Sequence, residues 1–187
     1  NVAAIDTTWN TDGLIKLANA FQLIADTEKN QWLPYYYASL CNVLSAYTLN
    51  DGNITGMAAT TDPIANKAEE LLNKAEMLKK DNSEIFCVKK MIASLRLMGD
   101  PQSRAMTYGT ASAMALTKAK QLDPGNPRVY LLEGQDKLYT PKEWGGSKEE
   151  AMKVFDEAKK KYESFKPESS IHPAWGKTQL NYFLTQG

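Results

Sequence analysis

Apolar residues recur at helical spacing along nearly the whole chain. Ala65, Ala68, Leu71, Leu72, Ala75 and Leu78 fall on one face of a helix. The same holds for Tyr108, Ser112, Ala115, Ala119 and Leu122, and for Ala151, Val154, Phe155, Ala158, Tyr162 and Phe165. No window alternates apolar and polar residues between turn signals, so no strand is predicted. The pattern predicts an all-α chain of about eight helices, at 11–28, 31–49, 63–80, 83–98, 101–122, 127–139, 148–165 and 172–184.

Capping chemistry marks the boundaries. Asp62-Pro63, Asp100-Pro101 and Asn126-Pro127 each offer a side-chain acceptor at the N-cap and a proline at the first helical position. There the missing N–H is no loss and the fixed φ is already helical. Ser147 and Glu150 have the spacing of a capping box, in which each side chain satisfies an orphan backbone donor. The connectors between most of these helices are short, which predicts antiparallel neighbours.

Small residues recur at a longer period. Ala68 and Ala75 flank Leu72, Ser112 and Ala119 flank Leu116, and Ala151 and Ala158 flank Phe155. A small side chain repeated on one face lets a neighbouring backbone approach, while the large one fills the space beside it. Ala119, Leu122, Asp123 and Pro124 then close one apolar run, and Tyr130 with Gly134 opens the next.

In these residues the chain resembles the tetratricopeptide repeat family of helix-turn-helix units. Three units follow at 31–82, 83–125 and 126–167, with flanking helices at 11–28 and 172–184 and Trp175 opening a capping half-repeat. The first unit runs from Tyr37, Leu40 and Cys41 to Ala75, and the second from Phe86 and Ala93 to Ala119. The closing alanines, 75, 119 and 158, are 44 and 39 residues apart, longer than the family's usual period of about 34. The extra residues lie in GDPQSRAM and YTPKEWGG, between the helices of a unit. Lys89 and Lys90 also depart from the pattern, standing where a leucine and a small residue are expected.

The resemblance implies one domain, a right-handed stack of antiparallel helix pairs serving as a non-catalytic scaffold. Its concave groove, lined by the first helix of each pair, would hold a protein or peptide. The positions it assigns to that groove are Ala38, Asn42, Leu131 and Gln135, with Tyr35, Arg128 and Tyr139 at the rim or floor. Core packing is the competing reading of the aromatics in WLPYYY and of Tyr47.

Charge narrows the partners. Lysine plus arginine equals aspartate plus glutamate at 22 each, so no basic excess points to nucleic acid or an anionic membrane surface. No apolar run approaches the roughly 20 residues that span a bilayer, so membrane insertion is not expected. The opening NVAAIDTTWN has no initiator methionine and no leader. It is read either as a removed export signal, the favoured reading, with a periplasmic or secreted protein, or as an omitted stretch of the gene, with a cytoplasmic one. Cys41 and Cys87 lie far apart in helical patterns and are expected as buried free thiols.

Catalytic chemistry is sparse. His172 is the sole histidine and is expected in the turn before the last helix, and neither cysteine has flanks suggesting activation. The WGG at 144–146 lacks the pattern of a phosphate loop. These observations predict no enzyme and no cofactor. One metal motif is present: DGNITGMAATTD resembles a calcium loop, with Asp51, Asn53, Thr55 and Asp62 as side-chain ligands. The expected outcome there is instead a plain connector in which Asp62 caps the helix starting at Pro63. A small-molecule receptor or enzyme whose site forms only in the fold is the alternative to the peptide-binding scaffold.

Overall fold

A computed structural model describes residues 2–186. Among them are nine α-helical segments and no strand. The segments are α1 (Thr11–Glu28), α2 (Trp32–Tyr47), α3 (Ala58–Leu78), α4 (Ser83–Gly99), α5 (Pro101–Arg104), α6 (Thr110–Leu122), α7 (Pro127–Tyr139), α8 (Lys148–Ser164) and α9 (Lys177–Leu184). Short 3-10 turns lie at Val2–Thr7, Leu49–Gly52 and Lys142–Trp144.

Helix neighbours in sequence are neighbours in space. α1 packs on α2, α2 on α3, α3 on α4, α4 on α6 and α7 on α8. The small residues work as the spacing implies: Ala68, Ala75, Ala119, Ala151 and Ala158 are all fully buried. Gly134 is a small residue with a visible reason, because a Cβ there would run into the Phe155 ring. Its absence brings α7 close to α8. A contiguous core extends from Ile5 to Phe183, and Cys41 and Cys87 sit inside it as free thiols.

α4 also meets both α2 and α7 directly. Two ion pairs cross from α4 to α7, Glu84 with Arg128 and Lys90 with Asp136. They occur in the same order along both helices, so α4 and α7 run in the same direction.

Most predicted caps form. Asp100 accepts from Ser103 N, Asn126 from Arg128 N and Ser147 from Glu150 N. The reciprocal half of the capping box does not form. The Ser147 N–H instead donates to the Lys137 carbonyl at 2.8 Å, and the Glu150 carboxylate pairs with Lys153.

Three boundaries differ from expectation. α3 begins at Ala58, so Pro63 lies within the helix and Asp62 is no cap. Both Asp62 oxygens instead take Arg104, at 2.7 Å each. The helix expected at 101–122 is interrupted by a π turn at Ala105–Gly109. That wide turn sets the Tyr108 ring beside the Arg96 and Arg104 guanidiniums, 5.7 and 5.8 Å from its centroid. The last helix starts at Lys177 rather than 172, after Gly176 at φ +96°.

The segment before α9 has no helical bonds of its own, so its backbone needs other partners. Tyr37 Oη donates to the Ile171 carbonyl at 2.7 Å and Tyr162 Oη to the Trp175 carbonyl at 2.8 Å. Asp6 accepts from Gly176 N and Thr178 N. Trp175 is therefore buried ahead of α9 and does not open a helix.

Candidate functional site

The positions the repeat pattern assigns to a groove do not lie together on a surface. Tyr35, Ala38, Arg128 and Leu131 are buried. Asn42 is half-buried, and its Nδ2 donates to the Ala38 carbonyl on its own helix. The physical reason is that α2 is enclosed by α1, α3 and α4, and α7 packs on α8, α6 and α4, which leaves those positions facing other helices. Arg128 is occupied with Glu84: its Nε donates to Glu84 Oε1 at 2.7 Å. Its Nη2 lies at the same distance from that oxygen but too far off line for a hydrogen bond. Burial opposes the Arg128 charge, yet Glu84 outweighs it and raises the guanidinium pKa above its ordinary value.

Gln135 and Tyr139 do reach a concave surface. They border a cleft of about 660 Å³ framed by the C-terminal end of α2, the 51–55 loop, α4, α7 and α9. Tyr47 comes from the end of α2, Lys90, Met91 and Met98 from α4, and Leu132, Gln135 and Asp136 from α7.

The walls are mixed, with an apolar face beside polar side chains. Met91, Met98, Leu132 and Phe183 supply aliphatic and aromatic faces. Tyr47 is held by its hydroxyl, which donates to the Met91 carbonyl at 2.7 Å, and burial pushes its pKa well up. Phe183 stacks on Phe155, with centroids 4.9 Å apart and rings 4° from parallel, and meets Tyr139 edge-on. Each aromatic has its orientation fixed from behind, which suits a rigid face for a flat ligand.

Polar groups converge at one place. Lys90, with its side chain 5% exposed, donates to Asp136 Oδ1 at 2.5 Å and to Ser94 Oγ at 3.1 Å. Ser94 in turn shares a hydrogen bond with Ser112 at 3.0 Å. Two of the three ammonium hydrogens are thus engaged. Lys90 was legible as a departure from the repeat pattern, a lysine where a small residue belongs. Phe183, Met98 and Asp136 carried no comparable signal, because each looks like an ordinary core or surface helical residue.

The 51–56 loop closes one side. Asn50, Asp51 and Gly52 all have positive φ, at 48°, 54° and 86°. Buried Ile54 and a bond from Gly56 N to the Met98 carbonyl tie the turn to α4. The resemblance to a calcium loop does not bring its ligands together. Asp51, Asn53 and Thr55 are exposed on the loop, Asp62 faces Arg104, and the Met57 carbonyl accepts from Thr60 N and Thr61 N. Among the described residues no three acidic, histidine or cysteine side chains gather as a metal site.

The other titratable candidates lie elsewhere. His172 is in a turn as expected, with Phe165 5.8 Å away between ring centroids. Burial pushes the Cys41 thiol up to about 12 and the Cys87 thiol well above its ordinary value. Both thiols therefore stay protonated at neutral pH and are poor nucleophiles or ligands.

No family model and no curated protein matches the sequence. Among solved structures, the HusA haemophore from Porphyromonas gingivalis superposes with a TM-score of 0.83 and is 35% identical. The match covers 99% of this chain and 88% of that one. It overturns the expectation of a scaffold for protein–protein interaction with a protein or peptide partner. A relative aligned over nearly the whole chain is a haemophore, named for a small ligand. The alternative, a small-molecule receptor whose site forms only in the fold, is what the likeness favours. By this match the chain belongs to the family of the HusA haemophore.

Proposed function

We propose that the chain is a non-catalytic carrier of haem, or of a closely similar tetrapyrrole, bound in the cleft between α2, α4, α7 and α9. The observation that carries this reading is the cleft itself. Its volume of about 660 Å³ falls within the roughly 300–1,000 Å³ usual for small-molecule sites, and its lining combines an apolar face with polar side chains, as an amphipathic ligand requires. Met91, Met98, Leu132 and Phe183 would cover the macrocycle. Lys90, with one ammonium hydrogen still to place, and Gln135 would meet the carboxylates. The likeness to a haemophore supports this choice of ligand.

The helix pairs α2/α3, α4/α6 and α7/α8 act in this reading as irregular tetratricopeptide-like units in a right-handed stack. The shared direction of α4 and α7 supports it. Such a stack sets first helices side by side, and so makes a furrow that a flat molecule can enter. We also infer an exported carrier, as the haemophore relative suggests; no described helix is long and apolar enough to cross a membrane.

The test is a titration of the purified chain with haem, followed by the Soret band. Saturable one-to-one binding is expected. Met98→Ala combined with Tyr139→Ala, one half-buried and one exposed residue of the cleft wall, should weaken it by roughly tenfold or more, from lost apolar contact, with helical circular dichroism retained. A spectrum that never saturates, or full affinity in the double variant, would remove the cleft from consideration.

A further inference from the structure

A second pocket, of about 210 Å³, lies between the N-terminal turn, α1, α2 and the start of α9. Tyr47 and Gln179 border both this pocket and the large cleft. The two spaces therefore adjoin across two side chains.

Their chemistry differs. The cleft carries Lys90, Asp136, Asp51 and Gln135 beside its apolar face. The small pocket is walled by Ile5, Trp9, Leu14, Leu44 and Trp175. Its only charged residue is Asp6, which is already committed. Asp6 accepts from Gly176 N at 2.6 Å, Thr178 N at 3.1 Å and Thr178 Oγ1 at 2.7 Å. Trp175 is immobilised by its Nε1 donating to Tyr36 Oη at 2.7 Å. Trp9, on the opposite side of the sequence, is 55% exposed.

We propose that this pocket is an annex of the cleft that receives the hydrocarbon edge of the bound tetrapyrrole, and that Leu44 and Trp9 set which edge substituents fit. The proposal rests on the haem-carrier reading above. Haem is amphipathic across its plane, with vinyl and methyl groups on one edge and two carboxylates on the other. Burying a carboxylate with no partner is strongly unfavourable, whereas burying a vinyl group is favourable. The annex offers no cation, and its uncommitted donors, Trp9 Nε1 and the Gln179 amide, are neutral, while the cleft offers the charged Lys90. The ligand's two edges are thereby sorted, with the vinyl edge toward Tyr47 and the annex.

The test compares dissociation constants of haem and of its analogue with hydrogen in place of both vinyl groups. Wild type should prefer haem by roughly tenfold or more, since the analogue lacks four carbons and an apolar pocket discriminates by about tenfold or more for one. Leu44→Phe, which fills the annex, should lower haem affinity more than analogue affinity and bring the preference to near parity. Trp9→Ala removes an exposed wall with little risk to folding, and should erode the preference in the same direction. If Leu44→Phe loses its helical circular dichroism, Trp9→Ala alone decides. A wild type that binds both ligands equally, or a preference untouched by the folded variants, would overturn the annex while leaving the carrier intact. A wild type that binds neither ligand would overturn both.

Discussion

Helices α4 and α7 are joined by two ion pairs that could hardly differ more. Near their N-termini, Glu84 on α4 meets Arg128 on α7, with side chains 6% and 0% exposed. Two turns further on, the charges are reversed: Lys90 on α4 meets Asp136 on α7, and Asp136 is 42% exposed. The first pair is closed on all sides. Glu84 Oε1 also takes Asn126 Nδ2 at 2.7 Å, and Oε2 takes the Tyr36 hydroxyl at 2.9 Å, which itself receives Trp175 Nε1. The Phe165 ring covers the guanidinium, 4.5 Å away. The second pair opens onto the cleft, whereas Arg128 Nη1 and Nη2 lie buried without a hydrogen-bond partner. A charge sealed on all sides fixes helix register; a charge with one side open can meet a ligand.

The largest expected effect separates the two pairs. Glu84→Ala leaves Arg128 buried without its counter-charge, which costs about 3–5 kcal/mol. For a chain of this size that lowers the melting temperature by roughly 10 °C. Thermal unfolding followed by circular dichroism measures it. A fall no larger than that of the matching Lys90 variant would break the comparison.

Tyr36→Phe is the next step down. It removes one hydroxyl that bonds to Glu84 and accepts from Trp175, so two buried polar groups lose a partner. The cost is about 1–3 kcal/mol, read by the same melt. Because Trp175 walls the annex, its fluorescence should shift as well. A Trp spectrum identical to wild type would mean that the clamp does not hold this side chain in place.

Lys90→Met should do little to stability and much to binding. Asp136 is exposed enough to regain water, so the expected change is about 1 kcal/mol or less. Affinity for haem should fall, while affinity for its dimethyl ester, which lacks the carboxylates, should not. Equal losses for both ligands would show that Lys90 shapes the cleft without meeting a charged group.

What was legible in the sequence follows the range of the interactions. Helix spans, the Asn126 and Asp100 caps and the small-residue contacts depend on residues a few positions apart, and the pattern exposes them. The clamp and the cleft do not. Arg128 reads as a groove cation until Glu84, 44 positions away, is brought beside it. Tyr35, Ala38 and Leu131 read as groove positions because the repeat pattern assumes a first helix with one open face, and α2 has neighbours on most of its circumference. The cleft joins Tyr47, Lys90, Asp136 and Phe183, one from each of four helices, and no local pattern records that meeting.

A third ion pair extends the comparison to the surface, where the effect should be smallest. Asp62 and Arg104 are 29% and 23% exposed and meet through two parallel bonds. Hydrogen bonding from Arg104 holds the Asp62 carboxyl below its ordinary value of 3.8. Water already screens both partners, so Asp62→Asn should lower the melting temperature by only about 1–2 °C at pH 7. The direction with pH is fixed by linkage. The folded carboxyl binds its proton less readily than the unfolded one, so the pair's contribution is fully present above the unfolded value. It is lost as the pH falls from 3.8 through the lower folded value. The gap between wild type and Asp62→Asn should therefore be constant near neutrality and close in that acid range, whereas a gap that persists undiminished at low pH would assign the effect to packing. Because the same carboxylate would be the last ligand of the calcium loop, millimolar calcium should leave the melting temperature of both proteins where it was.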